Sequence, residues 1–123
     1  MSAWRLIALI PAALAGAIVP LEISSRTFLR KELKNRGIPY SAIPPSCIDE
    51  IATGRLMTAR RTAPYIKKSA TELLVYSLED DADRIAEIMG MGSPSRNDST
   101  LQQEARKNMV ALLQRHGVGL GQV

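Results

Sequence analysis

The chain has 123 residues, room for one domain, and only 4% are aromatic within a 46% hydrophobic content. Any core must therefore rest on Leu, Ile, Val, Met and Ala, which favours helices. A single cysteine excludes an intramolecular disulfide, and with a single histidine it cannot furnish the N and S ligands of a zinc site within this chain. Net charge is +4 but uneven: residues 1–23 are neutral, residues 24–68 carry +7 and residues 69–123 carry −3.

From Leu6 to Leu21 the run LIALIPAALAGAIVPL holds no charged residue. As a helix its 16 residues would extend about 24 Å, a little short of a bilayer core. Flanking residues lengthen it, because Trp4 suits the headgroup boundary and Arg5 can snorkel. A cleaved signal peptide is the rival reading, with Ala13-Leu14-Ala15 as the small-x-small site. Charge order favours a retained span: Arg26, Arg30, Lys31, Lys34 and Arg36 follow the segment, where positive charge resists translocation. The domain behind is then expected on the cytoplasmic side of a bacterial inner membrane, or the matrix side of a mitochondrial one. A buried core helix or a transit sequence is a third reading, and the transit sequence fits less well because such sequences are amphipathic whereas this segment is apolar on every side.

Pro11 and Pro20 kink such a span. Ala8, Ala12 and Gly16 lie four apart on one face, a ladder of small residues that lets another helix approach closely. Behind it, Ser24 or Ser25 is expected to cap a helix reaching about Arg36, stopped by Gly37 and Pro39. Phe28, Leu29 and Leu33 mark its apolar face. Its basic residues could meet anionic headgroups, or serve only to set topology.

The segment GIPYSAIPP reads as a loop. Ser46 and Asp49 then resemble a capping box before Ile48, Ile51, Ala52, Leu56 and Ala59 at helical spacing, with Gly54 weakening that helix and Pro64 restarting the chain. Between Pro64 and Met89, Ile66, Ala70, Leu73, Leu74 and Ser77 fit a helical face, although Glu72–Leu78 could be a short strand. No second strand is available to pair with it. Ser77 and Asp80 suggest a new cap ahead of Ala82, Ile85, Ala86 and Met89. After the loop GSPSRND, Ser99 and Gln102 cap the clearest helix, whose face is Leu101, Ala105, Met109, Leu112 and Leu113 and whose stop is Gly117.

The expected architecture is all-α: a transmembrane segment over residues 1–25, a domain of three to four helices over residues 26–116, and a flexible tail over residues 117–123.

The chemistry-bearing residues point to no reaction. Glu79, Asp80, Asp81, Asp83 and Glu87 lack the spacing of a calcium loop and read as acids in the first turns of a helix. Gly90-Met91-Gly92 has Ser95 where a dinucleotide fingerprint needs its third glycine. His116 falls in a last helical turn, where a cation suits the dipole, and spacing supplies it with no companion nucleophile or acid. Cys47 at a helix start could be a lowered-pKa thiol or incidental burial. Arg55, Arg60, Arg61, Lys67 and Lys68 around Tyr65 form a basic stretch with no nucleic-acid-binding pattern, so a solvated or partner-facing surface is favoured over nucleic acid.

The sequence therefore predicts a non-enzymatic, single-span membrane protein without cofactor or metal. Its expected role is accessory or assembly subunit of a larger membrane complex, for instance a respiratory or other energy-converting one. The helix-packing face would be Ala8, Ala12 and Gly16, and the membrane-interface residues Trp4, Arg5, Arg26, Arg30, Lys31, Lys34 and Arg36. Alternatives are an exported soluble binding protein cleaved near Ala15, and a membrane-tethered binder of anionic lipid or nucleic acid.

Overall fold

A computed structural model describes residues 21–91 and 99–120. These form α1 (Leu21–Asn35), a 3₁₀ turn (Tyr40–Ala42), α2 (Pro45–Ile66), α3 (Ala70–Ile88) and α4 (Thr100–Arg115), with no strand among the described residues. None of these helices is long and apolar enough to cross a membrane. The expected span lies outside the described residues except for residues 21–25, which begin α1.

α1 is already under way at Leu21, so Ser24 and Ser25 are not its cap. A capping serine must stand outside helical φ/ψ. Ser25 is instead buried in line with Phe28, Leu29, Glu32 and Leu33, spaced three and four apart. The stop falls as the sequence predicts. Gly37 takes φ +93°, and the Ile38 N–H returns to the Leu33 carbonyl at 3.0 Å in a Schellman-type closure that buries Ile38.

The capping box expected at Ser46 and Asp49 does not form. Pro44 is the N-cap and Pro45 the first helical residue, so fixed proline φ starts α2 early and leaves Ser46 inside its first turn. Pro64 does not restart the chain either. It sits exposed in the last turn of α2, which ends at Lys67 with φ 55°. Ile48, Ile51, Ala52, Leu56 and Ala59 all face the core as their spacing predicts.

α3 is one helix of 19 residues, with neither the strand at Glu72–Leu78 nor a fresh start at Ser77. The Ser69 hydroxyl accepts from the Glu72 N–H at 3.0 Å and the Glu72 carboxylate accepts from the Ser69 N–H, a capping box the sequence reading passes over. Burial of Leu74, Val75, Leu78, Ala82, Ile85 and Ala86 runs unbroken through the supposed junction, and that continuous stripe outweighs a local cap signal.

α2 and α3 form an antiparallel pair across the short link at 67–69, and α1 packs on both. The core lies where they meet, around Leu29, Ile48, Leu56, Leu78 and Ile85. α4 starts as predicted, the Ser99 hydroxyl accepting from the Gln102 N–H at 3.2 Å, but it buries only Met109 and Leu113 and leaves Leu101 exposed. Past its end Gly117 takes φ +82° and Val118 turns back into the core, so the segment from residue 117 is anchored at its start.

Candidate functional site

The basic residues of α1 are largely engaged within the domain. Arg26 pairs with Asp49 at 3.2 Å, and Arg36 with Glu32 at 2.7 Å and Asp83 at 2.8 Å. Lys34 stands 5.6 Å from the Tyr40 ring centre, a cation–π distance. Arg30 is half-buried beside Leu33, Ile38 and Ile43, and Lys31 is exposed. The structure thus places Arg26, Arg30, Lys31 and Lys34 on α1 with Arg36 just past its end, and turns Arg26, Lys34 and Arg36 toward neighbours in the fold. Trp4, Arg5, Ala8, Ala12 and Gly16 lie outside the described residues.

The acidic run on α3 is used the same way. Asp81, 1% exposed, receives Nε and Nη2 of Arg55 at 2.7 and 2.8 Å, Asp80 pairs with Arg84 at 2.9 Å, and Asp83 holds Arg36. Arg55 therefore leaves the basic stretch that sequence groups with Arg60, Arg61, Lys67 and Lys68. Among the described residues no cluster of His, Cys, Asp and Glu is arranged to hold a metal.

The main concavity lies between α2 and α4. α4 leans on α3 and stands off α2, leaving an open groove of about 480 Å³. Glu50, Gly54 and Thr58 line its α2 wall at intervals of four, opposite Ala105, Asn108 and Leu112, with Ile51 and Met109 at its floor. Ser46 belongs to the same α2 stripe, one turn beyond Glu50.

At that end two helix termini meet. Glu50 accepts from Nη2 of Arg115 at 2.9 Å and lies 2.7 Å from Nε2 of His116, whose Nδ1 is 3.0 Å from the Ser46 hydroxyl. The α4 dipole suits His116, which caps its negative end. Sequence reasoning gave His116 its place at a helix end but not these partners. They lie 66 and 70 positions away in the chain, and no local signal links them.

Cys47, next to this cluster, is fully buried. Burial, reinforced by Glu50, pushes its thiol up to about 11, so the helix start does not make it a thiolate.

No known protein family, curated protein or solved structure matches the chain.

Proposed function

We propose that this chain is a single-span membrane protein whose helical domain serves as an accessory or assembly subunit of a larger membrane complex. The observation that carries the reading is the uncharged run Leu6–Leu21 leading into a helix that bears Arg26, Arg30, Lys31 and Lys34, with Arg36 just past its end. An apolar segment followed by positive charge is retained with its basic flank on the cytoplasmic or matrix side. The run and its flanks are long enough to span with little tilt. The exposed Leu101 side chain on α4 offers the domain an apolar contact for a neighbour.

The test is extraction at alkaline pH followed by protease protection. The chain is expected to stay in the membrane pellet, with the domain digested only from the cytoplasmic or matrix face. Release into the supernatant, or a mature chain beginning at Gly16, would overturn the reading. Solubilised in mild detergent, the chain is expected to co-purify with larger membrane subunits, and Gly16→Leu to reduce that co-purification if the small-residue face packs.

A further inference from the structure

We propose that Ser46 is a nucleophile served by His116 and Glu50, and that the α2–α4 groove presents it with the acyl part of an ester or thioester. The inference rests on residues 46–116 and is independent of the membrane reading.

The three groups stand in relay order. His116 has one ring nitrogen 2.7 Å from the Glu50 carboxylate and the other 3.0 Å from the Ser46 hydroxyl. A carboxylate accepts from Nε2–H, which fixes the tautomer whose Nδ1 lone pair faces Ser46. The roles are those of a nucleophile, a base and an orienting acid, with the two ring nitrogens exchanged relative to the common serine triad. Arg115 holds Glu50 from the other side at 2.9 and 3.1 Å, fixing the carboxylate in place.

Both helix ends assist the charges that would develop. An imidazolium on His116 sits at the C-terminus of α4, and the carbonyl oxygen of an ester attacked by Ser46 gains its negative charge beside the N-terminus of α2. In acyl transfer, Ser46 Oγ attacks the carbonyl carbon as its proton passes to Nδ1 of His116. The tetrahedral intermediate collapses, and the alcohol or thiol leaves with that proton. Water, deprotonated by the same nitrogen, then releases the acid and regenerates Ser46.

The groove gives the substrate class. It begins at Glu50, one helical turn from Ser46 on the same face of α2, and continues to Gly54, where an added Cβ would meet nothing within 4 Å, over a floor of Ile51 and Met109 flanked by Leu112. A short apolar acyl chain fits that surface.

The probe is an alkyl fluorophosphonate, which transfers phosphorus to an activated serine with loss of fluoride, applied to the full chain in detergent and read by mass spectrometry. One adduct, on Ser46, is expected; Ser46→Ala removes it with an unchanged thermal melt, and His116→Gln slows it by about a hundredfold. Should His116→Gln unfold, the wild-type labelling rate against pH answers the same question: a rate that falls on acidification supports the proposal and a flat profile overturns it. Absence of an adduct, labels scattered over other side chains, or a rate undiminished in a folded His116→Gln would also overturn it. With 4-nitrophenyl esters, Gly54→Leu is expected to cut hexanoate turnover about tenfold more than acetate turnover. Equal loss on both would overturn the assignment of the groove.

Discussion

Asp81 is the most deeply placed charged side chain described, and it is tolerable there because Arg55 reaches it with two N–H groups in a planar fork. Removing one partner of such a pair strands the other. Arg55→Met is therefore expected to lower unfolding free energy by about 3 kcal/mol in a urea titration, whereas replacing both with apolar residues of similar volume should recover much of the loss.

The net direction at Asp81 is nonetheless upward: burial raises its carboxyl and the Arg55 fork pulls it only part of the way back. Glu79 is raised as well, by burial and then by the nearby Glu32 carboxylate. An acid raised in the folded state holds its proton more tightly folded than unfolded. Its contribution to stability is thus greatest at low pH and declines as pH climbs from the ordinary carboxylate range through the raised value. Glu79→Gln removes that decline at one site. Its melting temperature should exceed the parent's near pH 7, and the gap should narrow toward pH 4.

Cys47 yields a simpler test. A buried thiol held near 11 has almost no thiolate at neutral pH. Iodoacetamide is expected to leave the folded chain unmodified at pH 7.5 and to label it fully in urea. Rapid labelling of the folded chain would show that the first turn of α2 is open.

Among the helices, termini decide more than propensities. α3 owes its start to a reciprocal capping box, and Ser69→Ala should cost about 1 kcal/mol. Two glycines make opposite predictions for the same substitution. Gly37 holds φ +93° in the closure of α1, so Gly37→Ala should destabilise by about 1–2 kcal/mol. Gly54 lies inside α2 with open space where a Cβ would go, so Gly54→Ala should stabilise by about 0.5–1 kcal/mol. Thermal melts of the two variants, shifting in opposite directions, check the pair.

Most of this level is readable in the sequence. The apolar spacing of α2, the Ser99 cap and the Gly37 and Gly117 stops all follow from residue type and interval, whereas α4 buries only Met109 and Leu113 of its expected face. The errors share a cause, because each took a local signal as sufficient. Ser24, Ser46, Pro64 and Ser77 are residues that can start or break a helix, and in each case the apolar stripe or the preceding chain already ran past them. The Ser69–Glu72 box was legible on the same terms as Ser99–Gln102 and was masked by placing the break at Pro64.

For the molecule as a whole, stability is unevenly spread. α1, α2 and α3 share one core, while α4 contributes Met109 and Leu113 and is tied to α2 through Glu50, Arg115 and His116. Helices with few buried side chains open first. Amide exchange is expected to be slowest in the centres of α2 and α3 and markedly faster in α4, and Glu50→Gln should speed it further in the last turns of α4. Equal protection across all four helices would contradict this division.

By itself the sequence determined the helical class, the apolar stripe of α2 and the apolar front with positive charge behind it. These are properties of residue type and spacing along a chain, and neighbours in the chain are enough to express them. Tertiary structure alone decided where the charges go. Arg26, Arg36 and Arg55 find acids on other helices, and Ser46, Glu50, Arg115 and His116 meet because α4 returns its last turn to the first turn of α2. Such pairings depend on helix crossing and standoff, which follow from how the stripes pack and leave no mark in the order of residues.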